Sequence, residues 1–135
     1  MGVSTMQAKI EWRGGLQFHG DVGGRQIELD GDARAGCSPM ELLMLSLAGC
    51  MAIDVVHILH KMRADLKSVA ARVEGTRAET DPRRFTKLNL HFDIAGSEIS
   101  AAQVERAIAL SKEKYCSVFH SLKSDIEIVI TFALV

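Results

Sequence analysis

The sequence predicts an α+β protein of one domain spanning residues 1–135, with antiparallel strands around a long, buried central helix. Three observations predict it. Strand-like and helix-like segments are grouped along the chain more than they alternate. One segment, from Pro39 to about Arg63, carries both a clear helix start and apolar side chains around most of its circumference. The strand-like segments show period-two alternation, with glycine or proline turns between them.

The first third is turn-rich. Ala8–Trp12 alternates apolar and polar residues, Gly14-Gly15 breaks the chain, and Leu16–His19 alternates again. Gly23-Gly24 makes a second turn before Gln26–Leu29, which completes an antiparallel meander. Ser38 is then a good helix N-cap, Pro39 suits the first helical position, and Glu41 stands where a capping box needs an acid. Leu42, Leu43, Met44, Leu45, Leu47, Met51 and Ile53 make this helix apolar on nearly every side, so it reads as buried. Val69, Ala71 and Val73 form a fourth strand. After Asp81-Pro82, Leu88, Leu90, Phe92 and Ile94 form a fifth. Ser100 and Gln103 make a second capping box, opening a helix with Val104, Ile108 and Tyr115 on one face. A short helical segment from Cys116 to Leu122 follows, and Ile126–Leu134 closes the chain as a strand. The central helix is too apolar for a lone chain of this size to cover, which predicts an extensive homodimer interface.

The formal net charge is -1, with both signs interspersed. No basic block points to nucleic acid, and no acidic run points to a disordered arm. The first residues, Met1–Met6, lack the charged start and apolar core of a signal peptide. The apolar run Leu42–Ile53, bounded by Glu41 and Asp54, reads as too short to span a bilayer. The expectation is a cytoplasmic protein without a membrane partner. There, its three cysteines stay reduced and any disulfide is transient.

Cys50 lies within the apolar helix and Cys116 at a helix junction; composition alone reads both as small buried hydrophobes. Cys37, next to the N-cap Ser38, reads as incidental. A peroxide-reducing thiol needs a partner that captures its sulfenic acid and, for organic peroxides, an apolar pocket. The chain supplies two separated cysteines and an apolar helix.

Ser38-Pro39-Met40-Glu41-Leu42-Leu43, followed by Leu47-Ala48-Gly49-Cys50-Met51-Ala52-Ile53-Asp54-Val55-Val56, resembles the central-helix motif of the OsmC/Ohr family. Lys114–Leu122, with Cys116 inside it, resembles that family's second motif, and the element order agrees over nearly the whole chain. Gly49 and the Ser38-Pro39 start are closer to the OsmC-like branch. The resemblance implies an OsmC-like fold in an intertwined homodimer with two interfacial active sites. It also implies reduction of organic hydroperoxides through a disulfide cycle, with Cys50 peroxidatic, Cys116 resolving and an external dithiol, such as a lipoyl group, as reductant. No cofactor or metal is implied.

Two positions depart from the hydroperoxide resistance branch. Where that branch has a glutamate after the helix-start proline, this chain has Met40, with the acid one place later at Glu41. One residue turns a helical side chain by about 100°, so Glu41 reads as a helix cap ahead of a catalytic acid. The family arginine comes from the early strands; Arg13 is the nearest candidate, with Arg25 and Arg34 behind it. His57, His60 and His120 read as partly solvated helix residues. Two rival readings remain: a redox-silent dimer that binds an apolar ligand, and a metal site made of thiols and imidazoles.

Overall fold

The computed structural model describes residues 2–135. The elements run β1 (Lys9–Gly14), β2 (Gln17–Val22), β3 (Arg25–Asp30), α1 (Pro39–Lys61), β4 (Asp65–Arg77), β5 (Phe85–Ser97), α2 (Ala101–Leu110), a π turn (Ser111–Tyr115), α3 (Ser117–Ser121) and β6 (Glu127–Leu134). This is the predicted order with the π turn added. The chain forms two compact units, one ending at Leu43 and one running Met44–Val135.

In the first unit, β1, β2 and β3 pair in order as an antiparallel meander. Trp12 stands opposite Phe18 and Phe18 opposite Leu29, while Ile10, Gly20 and Ile27 line up one pleat away. Side chains alternate across a strand, so these residues share one apolar face. The other face carries Glu11, His19 and Glu28, with His19 and Glu28 hydrogen-bonded to each other. The apolar face stays open in a single chain: Trp12 is 67% exposed, and Ile10, Leu16 and Ile27 are exposed with it. After β3, the buried Asp30 carboxylate accepts hydrogen bonds from the backbone N–H groups of Ala35 (2.9 Å), Asp32 (2.9 Å) and Arg34 (3.3 Å). These bonds, Ala35 first, hold its pKa below the ordinary aspartate range. The loop they shape delivers Ser38 to the start of α1. There Glu41 N–H donates to Ser38 Oγ at 3.2 Å and Ser38 N–H to Glu41 Oε1 at 2.8 Å, completing the predicted capping box.

In the second unit, β4, β5 and β6 form a sheet in that order. β4 and β5 are antiparallel, but β5 and β6 are parallel. The expectation of antiparallel strands throughout is therefore corrected at this pair. The reason is the connection: α2, the π turn and α3 carry the chain back to the end at which β5 began, as a parallel crossover requires. The Ser100–Gln103 capping box is present, with both reciprocal bonds made. Leu88, Leu90, Phe92 and Ile94 along one face of β5 are fully buried. So are Leu47, Met51, Val55 and Leu59 of α1, and Val104 and Ala107 of α2. These rows are the core of the unit, each large side chain contributing about 1.5–3 kcal/mol by leaving water. Gly75 on β4 fits this packing because a Cβ there would overlap the Phe85 ring.

α1 departs from its expectation in one way. It is buried along one stripe, not all round: Leu45 is 58% and Ile53 70% exposed. The buried positions 47, 51, 55, 58 and 59 repeat at helical spacing on the side turned into the core. Leu45, Ile53 and Val56 lie off that stripe. At 23 residues, α1 as a whole is long and apolar enough by length and composition to cross a membrane, although the apolar run Leu42–Ile53 within it is shorter. Its fully buried stripe identifies it as a core helix.

Candidate functional site

Beside its buried stripe, α1 carries Cys50, Asp54, His57 and Lys61 at steps of three and four residues, so they lie one above another. Cys116 meets this row from the other end of the unit. The π turn brings it there: Cys116 N–H donates to Ser111 C=O at 2.8 Å, a bond spanning five residues. The backbone then becomes extended at Cys116, which caps α3, its Sγ accepting the Phe119 N–H at 3.4 Å. Cys50 Sγ, a carboxylate oxygen of Asp54 and Cys116 Sγ all lie within 4.8 Å of one another. Ser111, itself fully buried, donates its hydroxyl to Asp54 Oδ2 at 2.8 Å and fixes the carboxylate.

The two sulfurs differ in environment. Cys50 is half-buried, whereas Cys116 is fully buried. Burial pushes the Cys116 thiol up to about 11. The Phe119 N–H works against that rise. Hydrogen bonding to Cys50, then the negative charges of Cys50 and Asp54, add to it. Next to this cluster, a cavity of about 380 Å³ is lined by Asp54, His57, Lys61, Met62, Leu110 and Tyr115. The site thus joins two thiols, an oriented carboxylate and a largely apolar pocket with a cationic rim.

The two cysteines singled out in the sequence are therefore brought together. Arg13, Arg25, Arg34 and Glu41 belong to the unit ending at Leu43. Arg13 is exposed on β1, Arg25 is exposed at the start of β3, and Arg34 is exposed in the Asp30 loop. Glu41 caps α1. His57, His60 and His120 are exposed, and the His120 ring meets Phe119 edge-on at 5.1 Å. Among the described residues, the group able to ligate a metal is Cys50, Asp54 and Cys116. It contains no imidazole, so a site of thiols and histidines is not what the fold assembles. Cys37 is half-buried and its carbonyl accepts the Asp30 N–H, a structural use. Asp54 and Ser111 were missed. A carboxylate four residues after a cysteine on an apolar helix was a usable signal for the first. Ser111 continues the buried face of α2 formed by Val104, Ala107 and Ile108 at helical spacing, which was the usable signal for it.

Fold and site together define an α+β protein with paired cysteines, one on a core helix and one at the cap of a short helix. The chain belongs to the OsmC-like protein family, whose model matches residues 30–131. It is 42% identical over 132 residues to Protein YhfA of Escherichia coli strain K12, covering 96% of this chain and 98% of that protein. A hypothetical protein from Aquifex aeolicus VF5 has a solved structure that superposes with a TM-score of 0.91 at 27% identity, covering 98% of each chain. An organic hydroperoxide resistance protein OsmC from Legionella pneumophila superposes with a TM-score of 0.71 at 17% identity, covering 99% of this chain and 100% of that one. This last likeness concerns the fold.

Proposed function

We propose that this protein reduces organic hydroperoxides through a Cys50–Cys116 thiol–disulfide cycle. The observation that carries the reading is the approach of Cys50 Sγ and Cys116 Sγ to within 4.8 Å, with one sulfur half-buried and the other sealed. Family membership and the name of the Legionella pneumophila protein support a redox role. Cys50 thiolate attacks the terminal peroxide oxygen, the O–O bond breaks, and the alkoxide takes a proton to leave as alcohol. Cys50 is then a sulfenic acid. Cys116 gives up its proton and attacks the Cys50 sulfur, releasing water and forming the disulfide. An external dithiol, of which a lipoyl group is one form, restores both thiols and itself becomes a disulfide.

The reading includes a homodimer. The open apolar face of β1–β3 and the exposed Leu45 and Ile53 of α1 are surfaces that a second copy covers. Arg13, with Arg25 and Arg34 behind it, takes the part of the family arginine. Glu41 serves as its carboxylate partner in addition to capping α1. The cytoplasm, where thiols start reduced, is the setting that suits the cycle.

The test is one equivalent of cumene hydroperoxide added to the reduced protein, followed by peptide mapping. A Cys50–Cys116 disulfide is expected, with Cys50→Ser consuming no peroxide. Cys116→Ser is expected to be oxidised once by the first equivalent and overoxidised at Cys50 by a second. Unchanged free thiols in the wild-type protein refute the cycle and favour an apolar-ligand binder instead.

A further inference from the structure

We propose that the reduced protein binds a zinc-class divalent cation between Cys50, Asp54 and Cys116, and that forming the Cys50–Cys116 disulfide expels it. Binding stands on geometry alone; expulsion by a hydroperoxide rests on the function proposed above.

Four observations carry the site. First, two sulfurs and one carboxylate oxygen form a donor set suited to a borderline-soft ion without geometric preference, of which zinc is the main example. Second, the donor atoms converge. With Zn–S near 2.3 Å and Zn–O near 2.0 Å, tetrahedral ligand atoms lie about 3.5–3.8 Å apart. The three atoms here are already within 4.8 Å of one another, so side-chain torsions suffice to close the site. Third, the carboxylate is held in advance: the buried Ser111 hydroxyl donates to Asp54 Oδ2 at 2.8 Å, the kind of outer contact that orients a ligating carboxylate. Fourth, the cavity of about 380 Å³ reaches Asp54 and gives a fourth coordination position access to water or a small ligand.

Charge points the same way. Two thiolates and a carboxylate gathered this closely repel one another, and a divalent cation neutralises most of that charge. Loading converts two thiols to thiolates and releases two protons. It also ties up both sulfurs of the redox pair, so the loaded protein is slow toward peroxide. When a hydroperoxide oxidises the pair, two electrons leave the sulfurs and two protons are taken up. The peroxide becomes alcohol and water, the S–S bond forms, and the cation loses two of its three protein ligands.

The test is a titration of full-length, phosphine-reduced, chelator-stripped protein with zinc chloride against a chromophoric chelator. One zinc per chain and release of about two protons at pH 7 are expected. Ser111→Ala is expected to weaken binding about 10- to 100-fold. Asp54→Asn and Cys50→Ser should weaken it at least as much, and Cys37→Ser should leave it unchanged. Cobalt loading should give a thiolate-to-cobalt charge-transfer band that Cys50→Ser diminishes. Zinc bound equally well by wild type, Cys50→Ser and Asp54→Asn overturns the site, as does no zinc held by the reduced wild type. A second arm adds one equivalent of cumene hydroperoxide to zinc-loaded and to zinc-free protein. Disulfide formation with zinc appearing on the chelator is the expected result. If the reduced wild type holds no zinc and still forms the disulfide with peroxide, the site is refuted and the peroxidase reading stands. Tight zinc with no disulfide in either arm refutes the peroxidase reading and the expulsion step together.

Discussion

Asp54→Asn is the most informative single substitution, because it removes a charge without removing volume. The lost carboxylate lies within 4.8 Å of both sulfurs and is one of the causes that raise the Cys116 thiol to about 11. Burial, the largest cause, is untouched. Two unit charges 4.8 Å apart interact by about 0.9 kcal/mol in a water-like dielectric and about 3.5 kcal/mol at an effective dielectric of 20. Asp54 borders an open cavity and ranks last among the causes, so the smaller figure applies. It corresponds to a fall of about 0.6 in pKa, and hence to about four times more Cys116 thiolate at pH 8. The assay is alkylation of Cys116 by a small reagent in a Cys37→Ser background, followed by peptide mass as a function of pH. About fourfold faster modification at pH 8 is expected, with the slow rate kept by Asp54→Glu. An unchanged or slower rate in Asp54→Asn refutes the claim that this carboxylate holds the resolving thiol protonated.

Other outcomes follow from the same geometry. With the Cys116 thiol at about 11, its thiolate grows about tenfold per pH unit through the neutral range. Closure of the Cys50 sulfenic acid into the disulfide, followed by rapid mixing, should therefore speed up about tenfold from pH 7 to pH 8; a plateau at pH 7 contradicts this. Glu41→Gln keeps a side chain able to close the capping box, so stability measured by denaturant should change little, whereas Ser38→Ala should cost about 1 kcal/mol. Peroxide turnover should then fall at least tenfold in Glu41→Gln if the acid also holds an arginine; full turnover restricts Glu41 to capping. Leu47→Ala, at a fully buried position, should cost about 2–5 kcal/mol in denaturant unfolding. Ile53→Asp, at a position 70% exposed in one chain, should leave the fold intact but abolish the dimer in sedimentation.

Much of the fold was legible because its signals are local. Ser38 with Glu41, and Ser100 with Gln103, announce helix starts through bonds reaching only three residues, and both boxes form as read. The strands declared themselves by alternation. The parallel pairing of β5 with β6 was readable in principle, since a helical connection between two strands favours it, but alternation within a strand carries no direction. The extent of burial of α1 was not legible. Its apolar residues record every surface it meets, and one chain covers only one stripe. The site divides similarly. Cys50 and Cys116 were reached through motif resemblance, whereas the backbone that leads Cys116 to Cys50 widens at one helical turn, which no pattern of residue types marks.

That widening fixes the length of the chain between two chemical groups. From Ser111, which holds Asp54, to Cys116 is five residues, spanned by a single backbone bond. Removing one residue from this segment lets the ordinary four-residue repeat close in its place, so the same acceptor on Ser111 is reached through one residue fewer. The extra residue therefore makes the chain between the two groups longer than a regular helix would need. What the turn adds is slack next to Cys116, at the point where the backbone leaves the helix and becomes extended.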